Sequence, residues 1–400
     1  MTEFDLSGIV YYMNSIEIFA GGGGLALGVK DAGFSHASLI EWDTDSAKTL
    51  YHNYKNFGFD NEQQWIFNDD IRNISFSEYS DKIDLLSGGP PCQPFSIGGK
   101  HKAYNDTRDM FPEAARALNE IRPKAFIFEN VRGLLRKNFA KYFGYIILQL
   151  TYPEIQKKQD QTWLQHLEQL EKYHTSTNEK SIYYNIVFRL VNAADYGIPQ
   201  KRERVFIVGF RNDINGKWHF PETTHSEEAL RYSKYVTKEY WKKHSLKYNK
   251  KTADKNVALF AFDKKPWVTV RDAISDLSNP KNGNDYYNHK LQQGAKQYAG
   301  HTGSLLDEPS KTIKAGAHGV PGGENMIVLD DGTVRYYTVR EAARVQTFPD
   351  DYYFPCSWTE SMRQIGNAVP VKLAALVADS VKRTLYSSKR SNKNNGSDTF

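Results

Sequence analysis

One of the two cysteines in this chain sits where a thiol could react. Cys92 lies within Ser87-Gly88-Gly89-Pro90-Pro91-Cys92-Gln93-Pro94-Phe95-Ser96, just after the apolar run Ile83-Asp84-Leu85-Leu86. The run reads as a short strand. Two glycines and two prolines stop it and impose a rigid turn. A lone cysteine is more often inert packing, but stiff backbone at a strand end places a thiol for attack. Glu129 closes a second apolar run, Ala125-Phe126-Ile127-Phe128-Glu129-Asn130-Val131. Arg202 and Arg204 alternate in Gln200-Lys201-Arg202-Glu203-Arg204, ahead of the apolar run 205–210. On an edge strand the two arginines would share one face. There they could hold a carboxylate, a base edge or a phosphate. Nucleophile, carboxyl group and paired cations together suit covalent catalysis with proton transfer.

A sheet must bring these residues together. Residues 15–19 read as a first strand, followed by Ala20-Gly21-Gly22-Gly23-Gly24 and a helical stretch from Leu25. Residues 38–42 read as a second strand and 65–71 as a third, each carrying acids near its end. The cysteine turn follows a fourth strand and Glu129 ends a fifth. Helices are expected at 45–54 and 110–121. This βα rhythm predicts an α/β fold with a doubly wound, mostly parallel sheet. In such a sheet the carboxyl ends of the strands line one crevice, so Cys92 and Glu129 converge. Residues 183–190 and 205–210 are expected to form a hairpin at one sheet edge.

The glycine turn carries its own chemistry. Gly21, Gly23 and Ala26 fit a loose G-x-G-x-x-A pattern, with Glu41 about 20 residues on. A carboxylate at Glu41 could accept both hydroxyls of a ribose. Phe19 and Trp42 could flank an adenine, and Asp70 could accept from an exocyclic amine. These residues suit an adenosine-containing cofactor, either a nicotinamide dinucleotide or S-adenosylmethionine.

The 400 residues allow two domains. We expect a catalytic and cofactor-binding domain over 1–211, and a smaller, irregular target-recognition domain over 212–337. A return segment over 338–386 would complete the first domain, and the tail 387–400 is expected to be disordered. Residues 152–181 are polar with helical spacing and read as a surface insertion. A basic, aromatic run surrounds Tyr240. The net charge of +5 permits nucleic acid without demanding it. Cys92 and Cys356 cannot make a disulfide scaffold, and no Cys/His cluster has zinc spacing, so no metal is expected. No apolar run reaches the roughly 18 residues of a membrane span. A cytoplasmic protein is expected.

These segments, in this order, resemble the DNA cytosine-5 methyltransferase family. The resemblance covers Phe19-Ala20-Gly21-Gly22-Gly23-Gly24, Glu41-Trp42, Asp70-Ile71, the cysteine turn, Glu129-Asn130-Val131 and Gln200 to Arg204. A long variable region follows, containing Pro309-Ser310-Lys311-Thr312-Ile313. Arg340-Glu341-Ala342-Ala343-Arg344, Phe348-Pro349 and Gly366-Asn367-Ala368-Val369-Pro370 complete the set. Glu17 stands where the family often has Asp, and Asp69 where it often has Gly. The resemblance implies a prokaryotic type of enzyme, with S-adenosyl-L-methionine as cofactor and S-adenosyl-L-homocysteine as product. It adds Ala20, Gly24, Leu25, Ile71, Pro91, Asn367 and Ala368 to the cofactor site. The partner it implies is double-stranded DNA. The role is protective methylation, paired with a restriction endonuclease acting on the same sequence. A monomer is expected.

The residue types agree with that chemistry. C5 of cytosine is a poor nucleophile, and addition of a thiolate at C6 makes it electron-rich. N3 then needs a proton or a strong donor, which a carboxylic acid at Glu129 supplies if burial keeps it protonated. Arg202 and Arg204 would orient the carboxyl group and base. The resemblance implies a base flipped out of the duplex. Ser96, Lys100, Arg108, Thr312 and Lys314 are expected to meet DNA, with Lys311, His301 and His318 as further candidates. An RNA (tRNA) methyltransferase would share the chemistry, though so long a variable region favours duplex DNA. A nicotinamide oxidoreductase would leave Cys92, Glu129 and the arginines unexplained. A catalytically inactive DNA-binding relative would leave the complete set of catalytic residue types unexplained.

Overall fold

The computed structural model describes residues 12–61, 65–91, 109–176, 181–248, 263–281, 286–298, 302–315 and 325–394. The expectations for Cys92, Ser96, Lys100, Arg108, His301 and His318 fall outside the described residues. The chain divides into two units. The first comprises residues 1–190, 204–220 and 374–400, and the second 191–203 and 221–373. The stretch from 338 to 373 therefore clusters with the second unit.

The first unit is built on a seven-stranded sheet of order β3-β2-β1-β4-β5-β7-β6. Its strands are β1 (Met13–Ile18), β2 (Phe34–Ile40), β3 (Ile66–Phe67), β4 (Leu85–Gly88), β5 (Ala125–Val131), β6 (Tyr184–Asn192) and β7 (Glu203–Arg211). β1 to β5 run parallel, and β7 lies antiparallel against β5. Bonds from Ala193 N to Arg202 O and from Asn212 N to Tyr183 O make β6 and β7 an antiparallel hairpin. The edge strand is β6, so β7 is not the edge expected for the arginines.

Central parallel strands are covered on both faces, which explains their nearly unbroken apolar sequences. Every residue of β5 except Val131 is buried. Helices α1 (Gly24–Asp31), α2 (Thr44–His52) and α3 (Phe111–Ile121) follow β1, β2 and β4 in the chain. Asp43 caps α2 by accepting from Ser46 N at 2.8 Å. Helix α4 (Ala140–Thr151) is followed by α5 (Trp163–Thr175), which lies in the polar insertion and opens with a capping box of Thr162 and Gln165.

The second unit is built of short elements. It holds the strand pair β8 (His225–Ser226) and β9 (Lys265–Pro266), and a sheet of β10 (Ser304–Leu305), β11 (Met326–Val328) and β12 (Val334–Tyr336). Its short helices are α6 (Glu227–Tyr235), α7 (Glu239–Lys243), α8 (Val270–Ile274), α9 (Val339–Val345) and α10 (Trp358–Asn367). In the basic, aromatic run, Tyr240 is buried with Leu230 and Trp267, while Lys242 and Lys243 are exposed. The final helix α11 (Val371–Asn394) continues to Asn394, so the tail expected to be irregular from Ser387 is helical to that point. Within the first unit, Lys382 of α11 donates to Ala32 O at 3.1 Å, and Trp218 donates to Ser380 at 3.1 Å.

Candidate active site

Strand order reverses between β1 and β4, which pair in parallel with Ile18 opposite Gly88. A ligand crevice belongs at such a switch point, outside the carboxyl ends of the strands. The glycine turn leaves one end and the cysteine turn the other. Gly88 is required there: a Cβ on it would lie 2.4 Å from Ile18 O.

The turn after β1 uses left-handed backbone at Phe19, Gly21 and Gly23 (φ 56°, 54° and 81°). For a bulky residue such as Phe19 this costs on the order of 1 kcal/mol, a strain found mostly at functional sites. Ala20 N donates to Ile40 O at 3.0 Å, and Gly23 N returns to Ala20 O at 2.9 Å. Gly24 and Leu25 are buried and start α1. A Cβ on Gly21 would meet nothing within 4 Å, so the turn faces open space.

Glu41 is buried at the end of β2. Its Oε2 accepts from Gly21 N at 2.7 Å and its Oε1 from Asp43 N at 2.8 Å. Those bonds aim the carboxylate at the glycine turn. Trp42 beside it is 70% exposed. Asn68 donates to Glu41 O at 2.9 Å and to Trp42 O at 3.0 Å, fixing this corner. Asp70 is half-buried, and both of its oxygens accept from Arg72. That ion pair holds its carboxyl below the usual range, and an amine donor would have to displace Arg72. Ile71 is buried. An open glycine turn, an oriented carboxylate and an exposed indole fit an adenosyl group.

Glu129 lies at the end of β5 with only 7% exposed. A Cβ on Gly89 would sit 3.6 Å from its Oε2, which brings the carboxyl group to the turn that leads into Cys92. Its Oε1 is 2.7 Å from Arg204 Nε. The register explains the pair: Arg204 stands opposite Val131, so it shares a face with Glu129 on the diagonal. Burial pulls the Arg204 guanidinium below its ordinary value, against the Glu129 charge. Arginine stays charged nonetheless. Asn130 donates to Pro90 O at 2.9 Å and ties the same corner to the proline pair. Pro91 is half-buried.

Arg202 precedes β7, lies in the second unit and is fully buried. Its guanidinium donates to the carbonyls of Ile313 (3.2 Å), Gly366 (2.7 Å) and Ala368 (2.9 Å). It thus joins three of the sequence motifs as a structural post. Gln200 adds bonds to Ile313 N and Gln346, both at 3.2 Å. The Thr312 hydroxyl donates to Lys201 O at 2.7 Å. Lys314 and Asn367 are exposed, and Ala368 is buried.

Residues 13–383 match the C-5 cytosine-specific DNA methylase family. The chain belongs to that family. The methylase is 33% identical to the Type II methyltransferase M.PspPI of Psychrobacter sp. over 92% of this chain and 79% of that protein. It is 31% identical to M.Eco47II of Escherichia coli over 96% and 81%. Among solved structures, the fold is shared with the Dnmt2 methyltransferase of S. pombe (TM-score 0.56, 15% identity, 93% and 99% covered). It is also shared with EhMeth of Entamoeba histolytica (TM-score 0.55, 14% identity, 95% and 99% covered). This methylase is accordingly a DNA cytosine-5 methyltransferase with a Rossmann-like sheet. Among the described residues, no group of His, Cys, Asp and Glu could hold a metal ion, and no helix is long and apolar enough to cross a membrane.

Two positioning residues had no role assigned from sequence, Asn68 and Asn130, although Asn130 stands in the Glu129-Asn130-Val131 motif. Each uses a carboxamide to hold backbone, and only the strand-end position of Asn130 hinted at it. A third contact, Ser87 donating to Glu17 at 2.8 Å, buries a carboxyl group between β4 and β1.

Proposed function

We propose that the methylase acts on C5 of a cytosine within a specific double-stranded DNA sequence, using S-adenosyl-L-methionine, through a covalent Cys92–C6 adduct on a flipped-out base. The observation that carries this reading is the Glu129 carboxyl group, paired with Arg204 and lying against Gly89, three residues before Cys92. When bound, S-adenosyl-L-methionine supplies an electrophilic methyl group on a sulfonium. Glu41 would hold its ribose, and Phe19, Trp42 and the turn from Ala20 to Leu25 its adenosyl body. Asp70, Ile71, Pro91, Asn367 and Ala368 complete the proposed set.

The Cys92 thiolate adds to C6 and loads electron density onto C5 and N3. Glu129 hands a proton to N3 as that charge develops. Arg204 then holds the carboxylate that remains. Loss of H5 to water lets Cys92 leave. The proton returns from N3 to Glu129 when Cys92 leaves.

Residues 212–337, most of which fall in the second unit, are the proposed reader of sequence, with Thr312 and Lys314 near DNA. Ser96, Lys100 and Arg108 are proposed phosphate contacts. The Type II methyltransferase names of the relatives support a protective role beside a restriction endonuclease; a cytoplasmic monomer is proposed with it. The test is transfer of labelled methyl from S-adenosyl-L-methionine to unmethylated DNA and, separately, to tRNA. Transfer to DNA with loss of turnover in Cys92→Ser is expected, and 5-fluorocytosine DNA should capture only the wild type. Transfer confined to tRNA, or capture that survives Cys92→Ser, overturns the reading. Bisulfite sequencing then gives the target.

A further inference from the structure

The backbone that leads into Cys92 is held from an unexpected direction. Pro91 O accepts from Met110 N at 3.1 Å, so the residue before Cys92 is tied to the start of α3. Asp109 sits beside that bond. One of its oxygens accepts from Phe111 N at 3.2 Å, and the other accepts from the hydroxyl of Tyr142 on α4. Tyr142 is buried, with 4% exposed. Its ring meets Trp163 edge-on at 5.3 Å. Trp163 begins α5 of the polar insertion and also packs on Tyr145 at 5.6 Å. The Tyr145 hydroxyl and Ile155 O hold the two nitrogens of buried His166, at 2.9 and 2.8 Å. The insertion is therefore anchored to α4 by satisfied polar contacts, and the ring that opens α5 braces Tyr142.

We infer that Tyr142, braced by Trp163, is a positioning residue for the nucleophile: through Asp109 it secures the Met110–Pro91 bond and so the backbone that presents Cys92. The ring of Tyr142 belongs to the core, and phenylalanine would fill it equally well. The hydroxyl is the informative atom, because its bond is to a carboxylate and therefore strong. This gives the 152–181 insertion a role in catalysis without any contact to substrate. The inference rests on the reading of Cys92 as nucleophile.

The test compares wild type, Tyr142→Phe, Asp109→Ala, Asp109→Asn and the Tyr142→Phe/Asp109→Ala double variant as full-length chains. Three quantities are read: the rate of covalent capture on DNA carrying 5-fluorocytosine, S-adenosyl-L-methionine affinity, and hydrogen exchange at the Met110 amide. Tyr142→Phe should slow capture about tenfold, the scale expected for a small misplacement of a reacting group. Cofactor affinity should stay at the wild-type level, and the Met110 amide should exchange faster. Asp109→Asn, which keeps an acceptor, should recover most of the rate lost in Asp109→Ala. The double variant should be no slower than Asp109→Ala, as for residues acting through one bond. Wild-type capture in Tyr142→Phe, unchanged Met110 exchange, or additive losses in the double variant would each overturn the inference. If wild type itself captures no DNA, the reading of Cys92 falls, and exchange at Met110 still decides whether the clamp exists.

Discussion

Arg204 Nε lies 2.7 Å from Glu129 Oε1 across the β5–β7 ladder, and each side chain is nearly shut off from solvent. The pair sits at the foot of the cysteine turn. Replacing Glu129 by Gln keeps the shape but removes the group proposed to carry the proton to N3. We expect single-turnover methylation to slow by about 10²–10⁴-fold, with S-adenosyl-L-methionine affinity retained. A loss of cofactor affinity at an undiminished rate would instead move Glu129 into the cofactor pocket.

Removing Arg204 leaves the Glu129 carboxylate buried without its guanidinium. Arg204→Leu should destabilise the fold by about 3 kcal/mol at neutral pH, read by urea unfolding. Adding Glu129→Leu should recover most of it, because the stranded charge is then gone. If the double variant is as unstable as the single, the loss comes from packing and not from charge.

Arg202 should behave differently from its neighbour two residues away. Three carbonyls accept from it. Arg202→Leu takes its donor from Ile313 O and Gly366 O, at about 1–3 kcal/mol each, while Ala368 O keeps its bond from Gln346, so a large loss of thermal stability is expected. Arg202→Lys should not restore it, since an ammonium cannot span three acceptors arranged around a planar fork. A stable but slow Arg202→Leu enzyme would return this residue to the catalytic site.

Glu41 is pinned by two backbone amides facing the glycine turn. Glu41→Ala should raise the Kd for S-adenosyl-L-methionine by roughly tenfold to a hundredfold, equivalent to one or two charge-assisted hydrogen bonds. The rate at saturating cofactor should change little. Calorimetric titration gives the answer, and unchanged affinity would mean the ribose is held elsewhere.

Two buried groups near the glycine turn set a pH dependence of stability. Burial raises Glu17 to about 8, and burial lowers His36 to about 4. His36 lies between Ser15 Oγ at 3.0 Å and Ala26 O at 2.9 Å. A raised carboxyl pKa gives stability that is complete below the unfolded value near 4.5 and is lost as pH rises through 8. The depressed His36 works the other way, with stability gained as pH rises from 4 to 6.5. The two slopes oppose each other up to about 6.5, and Glu17 alone acts above it. Glu17→Gln should therefore be more stable than wild type at pH 8, by roughly 3 kcal/mol or less, and should be flatter above pH 6.5. Parallel unfolding profiles for the two proteins would contradict this.

The sheet was largely legible because parallel strands covered on both faces are written as apolar runs. β5 emerged residue for residue, since its seven positions have no polar face to blur the pattern. β3 did not. Only Ile66 and Phe67 enter the ladder, and Asn68 after them turns away to hold Glu41 and Trp42. The arginine pair shows a second limit. Alternation puts Arg202 and Arg204 on one face only if both are in the strand, and β7 starts at Glu203. Asn68, Asn130 and Tyr142 were illegible for another reason. Their bonds go to backbone or to a residue far along the chain, and no local spacing encodes such partners.

Gly88 and Ile18 pack so closely that there is no room for a methyl group between the two strands. One strand continues into the turn proposed to hold the cofactor, the other into the turn that carries the thiol. Neither turn can shift at its root without pressing on the other. If both turns act as proposed, cofactor and DNA binding should be coupled, and linkage of affinities is reciprocal. Cofactor occupancy should tighten the grip on DNA by the same factor by which DNA tightens the grip on cofactor.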